Sequence, residues 1–282
     1  MAQQSASTFL PAPDDCLLQF ALEGLSNAVQ HCTCPTHYHA LWGALKAAGV
    51  NRGLYTEAPA LEPVLRPLLQ TAGHVLVAGC ADTTALELLR HCAPQRPIRW
   101  SVSDQCPAPL EMVKNYSLLH GIKTTTSQAD LTHLPQPATP WDLIFVHYTL
   151  SFMDKASRRQ ALQAMGAGLA AGGTIVCAAK FGEARSDATS WLAAMSPRLD
   201  DLFADHPQAL ATLHGYLPVY AQHRSHRVHE QATLDMLKDD FAYAGLSIRS
   251  VSETGRTLWT HSNQNPVPDR QSSLLLLAAH DT

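Results

Sequence analysis

No run in this 282-residue chain approaches the roughly 20 consecutive apolar residues that a membrane-spanning helix needs. MAQQSASTFLPAPDD also lacks a cationic segment followed by an apolar stretch, so no secretory leader is expected there. Charge is sparse: 20 Lys and Arg stand against 24 Asp and Glu, a formal net charge of −4 without a basic block. Neither nucleic acid nor a membrane surface is therefore the expected partner. The seven cysteines are odd in number and follow no regular framework. They suit reduced thiols in a cytoplasmic setting better than a disulfide scaffold. Internal repeats and low-complexity tracts are missing as well. What the chain does have is apolar material, 46% of its residues, enough for a large core and inconsistent with global disorder. The oligomeric state stays open at this level, a homodimer included.

A polar arm of about a dozen residues comes first. Apolar residues then recur at helical spacing in Asp14–Gln30, His37–Val50 and Glu62–Gly73, the last ending on a glycine suited to a C-cap. Residues 1–73 thus read as a helical cap or lid. From His74 the texture alternates. Strands are expected at His74–Ala78, Ile98–Ser103, Lys123–Ser127, Leu143–Val146, Thr174–Ala179, Ser247–Ser252 and Ser273–Ala279. Helices are expected at Thr84–Cys92, Leu110–His120, Ser157–Ala170 and Thr233–Ala244. Connections too long for hairpins argue an α/β fold, a doubly wound parallel sheet covered on both faces. The last two strands have no helix between them and predict an antiparallel final pair. Phe181–Ala232 breaks the alternation and reads as an insertion, at about 181–232, over the edge of a sheet domain spanning 74–282.

In such a sheet a ligand sits beyond the carboxyl ends of the strands. Glycine is what the first of those loops lacks. HVLVAGCADTT keeps Gly79 alone, with Ala81 and Thr83 where a dinucleotide fingerprint needs glycines for a pyrophosphate. A ligand without phosphates has no such need, which favours S-adenosylmethionine over a nicotinamide cofactor. Asp104, followed by Gln105, ends the second strand where an acid can accept the hydroxyls of a ribose; the plainer alternative is a helix cap. Asp130 can receive an adenine amine with Leu131 packed on the ring, although such a pair after a strand is common. His147 and Tyr148 leave the fourth strand. His147 is either a general base or a strand-end residue bonded to backbone, and Tyr148, the second candidate for the catalytic site, can bound the pocket or orient a substrate. Lys180 follows the fifth strand, as a carboxylate ligand or a solvated loop lysine.

VLVAGCADT, DLIFVHYTLSFMD, LAAGGTIVCAAK and FAYAGLSIRSVSE follow one another in an order that resembles the class I S-adenosylmethionine-dependent methyltransferases. GCADT followed by DQCPAPLEMVKNYSLLHGI is similar to a less studied subgroup. The likeness runs from about His74 to the end, with a gap across Phe181–Ala232. It implies a seven-stranded, mostly parallel Rossmann-like sheet in the order 3-2-1-4-5-7-6. It also implies methyl transfer from S-adenosylmethionine, here expected to go to a small-molecule substrate. By the same resemblance, Gly79, Cys80 and Ala81 lie along the cofactor's amino-acid part and Asp104, with Gln105, at the ribose. Asp130 and Leu131 then fall at the adenine and His147 near the sulfonium. Two departures stand out: Val77 occupies the place of an acidic residue, and Ala81 and Thr83 replace glycines, with Asp82 the nearest substitute acid. The alternatives are a cyclase or lyase acting on the cofactor itself, and a non-catalytic ligand-binding relative.

Substrate recognition is expected from the cap and the insertion. Tyr38 and His39 are candidates for the lid, while Trp42 reads as core. His223, His226 and His229 recur at every third residue of YAQHRSHRVHE, as a substrate-binding stripe or a solvated face. HCTCPTHYH gathers Cys32, Cys34, His37 and His39. Each pair is separated by a single residue, against two to four or three to five in common zinc sites. No metal is expected on that spacing.

Overall fold

A computed structural model describes residues 14–49, 54–93, 96–181, 188–226, 233–254 and 272–280. Three helices come first: α1 (Asp14–His31), α2 (Tyr38–Ala47) and α3 (Leu54–Thr71). α3 begins at Leu54 rather than Glu62, although it contains Pro59, Pro63 and Pro67. A proline inside a helix removes a donor and crowds the preceding turn. Spaced by four, these three share one exposed face, where water can serve the carbonyls left unpaired, while Ala58, Leu61, Leu65 and Leu69 are buried.

The alternating region then follows: β1 (His74–Ala78), α4 (Thr84–Cys92), β2 (Arg99–Asp104), α5 (Pro107–Leu119), β3 (Thr124–Gln128), β4 (Trp141–His147), α6 (Lys155–Gly168) and β5 (Leu169–Phe181). Next come α7 (Ala188–Leu202), α8 (Pro207–His226), α9 (Leu234–Tyr243), β6 (Leu246–Glu253) and β7 (Ser272–His280). The sheet order is β3-β2-β1-β4-β5-β7-β6, as the resemblance implies. β1 to β5 pair in parallel, whereas β7 runs antiparallel between β5 and β6. Strand order reverses between β1 and β4, which puts a crevice beyond their carboxyl ends.

Alternate residues of β1 point to opposite faces. Val75 and Val77 meet Leu61, Leu65, Leu86 and Phe145 on one side; Leu76 and Ala78 meet Ile144, Leu162, Met165 and Phe241 on the other. α3 therefore packs on the sheet. A third cluster joins α1, α2, α7 and α8 through Leu25, Leu41, Met195, Phe203 and Leu213, with Cys106 and Ala108 from the start of α5. The insertion thus does not lie over an edge of the sheet, since the edges are β3 and β6. Its helices complete the cap, because their apolar faces match those of α1 and α2. No helix among the described residues is long and apolar enough to cross a membrane.

Candidate functional site

The turns after β1 and β4 face each other across the switch in strand order. Gly79 sits at φ +79°, and a Cβ there would lie 2.4 Å from Thr149 Oγ1. Backbone conformation and close contact both demand glycine. Gly79 N–H donates to the Ser103 carbonyl at 2.8 Å, tying the turn to β2. Cys80 N–H donates to Asp104 Oδ2 at 2.9 Å, and Cys106 N–H donates to Asp104 Oδ1 at 2.8 Å. Asp104 thus joins the turn after β1 to the residue preceding α5. Burial pushes its carboxyl up, against the pull of those two N–H groups.

Asp82 reaches the cap. Its Oδ2 accepts from Lys46 Nζ and from Trp42 Nε1, both at 2.7 Å, and its Oδ1 accepts from Thr84 N–H at 2.8 Å. Burial alone would raise this carboxyl, but the adjacent Lys46 ammonium and the hydrogen bonds from Thr84 together outweigh it and hold Asp82 below its ordinary value. Trp42, expected in the core, is instead a hydrogen-bonded wall of the site. Together Trp42, Lys46, Gly79, Cys80, Asp82 and His147 help line a pocket of about 360 Å³, its open mouth included.

His147 lies at the far wall with its Nε2 2.5 Å from Glu57 Oε2. Tyr148 donates its hydroxyl to Glu57 Oε1, which also accepts from Thr254 Oγ1 at 3.1 Å. Tyr148 has φ +60°, a strained backbone for a residue with a side chain, and its ring lies 4.0 Å from that of His147. Glu57 itself is fully buried. The sequence reading missed it because prolines hid the start of α3. A signal was present, though: Glu57, Leu61, Leu65 and Leu69 fall on one helical stripe. A carboxylate on a core-facing stripe needs polar partners.

Of the expected cofactor residues, Gly79, Cys80, Ala81 and His147 share the pocket. Gln105 is exposed, and its carbonyl accepts from Gln128 Nε2 at 3.2 Å. Asp130 is exposed and turned onto its own chain. Its Oδ1 accepts from Thr132 N–H and Oγ1, both at 2.8 Å, which holds the carboxyl low. Leu131 requires correction. It opens a short 3-10 turn that rotates its side chain into the core beside Leu76 and Trp141, so it presents no surface to a ring.

Tyr38 packs among the rings of His39, Trp42 and Tyr220. His39 also departs from expectation: it is buried within the cap, with Nδ1 3.4 Å from Cys34 Sγ and 3.7 Å from Cys32 Sγ, and is not part of the pocket lining. Cys106 Sγ stands 3.8 Å from Cys32 Sγ, and the four donor atoms all lie within 4.8 Å of one another. The expectation of no metal considered HCTCPTHYH alone, whereas the fold supplies a third sulfur from beyond β2. His37 is turned away at φ +48° and stacks on Tyr216. His223 is exposed on α8, apart from the pocket lining. The side chains of Lys180 and His226, and all of His229, lie outside the described residues.

Residues 75–173 match the family described as a methyltransferase domain. No curated protein shows a significant match. A solved complex of the Haloferax volcanii Trm112 methyltransferase activator with a methyltransferase contains a similar chain. The two are 14% identical over 88% of this chain and 98% of that one, at TM-score 0.56. The N-methyltransferase NodS of Bradyrhizobium japonicum WM9, in complex with S-adenosyl-L-homocysteine, is 14% identical over 94% and 99%, at TM-score 0.51. An S-adenosylmethionine-dependent methyltransferase of Clostridium acetobutylicum ATCC 824 is 11% identical over 86% and 97%, also at 0.51. At these identities the structural likenesses bear on the fold alone.

Proposed function

We infer, for a chain whose residues 75–173 match a methyltransferase domain, that it is a class I S-adenosylmethionine-dependent methyltransferase whose pocket between β1 and β4 takes S-adenosylmethionine and serves methyl transfer to a small-molecule acceptor held under the cap. The observation that carries this reading is the sign of charge around the pocket. Asp82 lines it with the Lys46 ammonium already engaged, while Glu57 and Asp104 stand behind its lining, bonded to His147 and to Cys80 N–H. A positive sulfonium suits such surroundings, and a pyrophosphate does not.

The residues present fit that cofactor. The turn at Gly79–Ala81, which lines the pocket, accommodates its amino-acid part. Asp104 holds one backbone N–H on each oxygen, and a carboxylate has about four acceptor sites, so capacity remains for ribose hydroxyls. NodS, with S-adenosyl-L-homocysteine bound, has the same fold.

When bound, the cofactor supplies an activated methyl and its leaving group. The protein's share is alignment and proton removal. With Nε2–H donating to Glu57, Nδ1 becomes the basic atom of His147. A proton taken from the acceptor then resides on an imidazolium that the Glu57 carboxylate stabilises. Glu57 acts as a positioning residue, and Tyr148, on the same carboxylate, fixes its orientation.

Calorimetry with S-adenosylmethionine and S-adenosyl-L-homocysteine tests the reading. Both should bind in the micromolar range and Asp104→Ala should abolish binding; a folded chain that binds neither overturns it. Mass analysis of S-adenosylmethionine incubated with the protein alone should return it unchanged. A cyclised or eliminated product would replace methyl transfer by cyclase or lyase chemistry.

A further inference from the structure

We propose that Cys32, Cys34, His39 and Cys106 bind one structural zinc ion, which fastens the helical cap to the turn that carries Asp104. Zinc–sulfur bonds of about 2.3 Å and zinc–nitrogen bonds of about 2.0–2.1 Å, at tetrahedral angles, separate two sulfurs by about 3.8 Å and a sulfur from a nitrogen by about 3.6 Å. The protein places Cys32 and Cys106 Sγ 3.8 Å apart, with His39 Nδ1 3.4 Å and 3.7 Å from the sulfurs of Cys34 and Cys32. These are the separations of ligands around a common centre. Hydrogen bonding gives no comparable reason for three weak sulfur partners to converge on one imidazole.

The donor set selects the metal. Three thiolates and an imidazole are soft to borderline ligands, and a tetrahedral arrangement of them suits zinc. Spacings this short fit a single ion; a polynuclear iron–sulfur cluster would hold its cysteines further apart. All four positions are filled from the protein, and His39 and Cys106 are buried. No coordination position is left for water or substrate, which makes the site structural rather than catalytic.

Local structure explains how so irregular a motif converges. The chain leaves α1 at His31 and turns through Pro35 and Thr36, with His37 N–H donating to the Cys34 carbonyl at 3.0 Å. The left-handed His37 then starts α2, which directs His39 back onto the two cysteines. Cys106 arrives from the other side, at the N-cap of α5. Its backbone N–H holds Asp104 Oδ1, so an ion on its sulfur braces that turn. The proposal does not depend on the catalytic reading.

The test uses the full chain, purified under reducing conditions and confirmed as folded by circular dichroism. Elemental analysis should find close to one zinc per chain. Exchange for cobalt(II) should give the ligand-field bands of a tetrahedral site and thiolate-to-cobalt charge transfer. Cys106→Ser and Cys34→Ser should lose nearly all the metal, whereas His37→Ala should keep it. Should the cysteine variants not fold, the zinc content and cobalt spectrum of the unaltered chain decide. A folded, reduced chain that carries no zinc and takes up neither zinc nor cobalt overturns the proposal. So does iron in place of zinc, or a Cys32–Cys106 disulfide as the native state.

Discussion

The helices that cover the sheet and those that cap its end are held by different forces. On the sheet, α3 and α4 meet β1 and β4 through Leu65, Leu86, Val75, Val77 and Phe145, none more than 1% exposed. Each such side chain contributes roughly 1.5–3 kcal/mol relative to exposure, without regard to direction. The cap has an apolar interior of its own, which reaches Cys106 and Ala108 at the start of α5, and its junction with the strand tips adds directional polar contacts. Lys46 and Trp42 close on Asp82, and a sulfur–imidazole tetrad closes around Cys106. Such contacts fix distance and angle, as apolar packing does not. A few of them therefore set where the cap stands over the pocket, while the sheet's stability is spread over many side chains.

Two buried carboxylates allow that contrast to be broken. Asp82 lies at the junction. Asp240, in α9, accepts from Arg158 Nε at 2.9 Å and Arg159 Nε at 2.7 Å inside the sheet layer. Lys46→Met strands the Asp82 charge and should cost about 3–5 kcal/mol in urea denaturation, the usual penalty for breaking a buried pair. It should also weaken S-adenosylmethionine binding in calorimetry by about tenfold or more, equivalent to about 1.4 kcal/mol. Arg158→Met should cost less, because Arg159 still serves Asp240, and should leave that binding unchanged. Equal losses of binding in the two variants would erase the distinction.

Acid should act through the same pair. Asp82 is held below its unfolded-state value, so its contribution is present above the ordinary carboxylate range and is lost as pH falls through the folded value. Unfolding free energy should therefore decline on acidification below about pH 4, near the ordinary aspartate value. Lys46→Met removes the larger part of the depression, leaving only the Thr84 hydrogen bonds, and should make the decline shallower when denaturation is followed from pH 6 downwards. An unchanged slope would show that other carboxylates govern it.

Gly79→Ala comes next in size. An alanine at φ +79° is strained, and its Cβ would press on Thr149, so a loss of about 1–3 kcal/mol is expected, with cofactor binding abolished. Adding Thr149→Ala should restore part of the stability by removing the obstructing Oγ1 and Cγ2. Wild-type stability in Gly79→Ala would mean that the turn is not constrained.

Gly79 also shows how far the residues alone could be read. The strand ending before it was legible because Val75–Ala78 is an unbroken apolar run, and the glycine because a tight turn needs one. His147 was legible from its place at a strand tip. Glu57, Cys106 and the partners of Asp82 were not, since each meets its partner through the fold rather than through neighbouring positions. Glu57 and His147 are 90 positions apart, and Cys32 and Cys106 are 74. No periodicity encodes such meetings. Leu131 failed for the opposite reason: a local 3-10 turn, invisible to a strand-and-helix reading, swung it inward.

The smallest effect sharpens the comparison from the sheet side. Thr233 caps α9, its Oγ1 accepting from Met236 N–H at 3.2 Å, and α9 lays Leu237 and Phe241 into the sheet cluster. Thr233→Ala should cost about 1 kcal/mol, a loss of about 2–4 °C in Tm for a domain of this size. That loss should be purely one of stability, because α9 belongs to the sheet layer and not to the cap. Zinc content and S-adenosylmethionine affinity, measured below the transition, should equal those of the unaltered chain. A fall in either would show that strain in the sheet layer reaches the cap, and that the two sets of helices do not act apart.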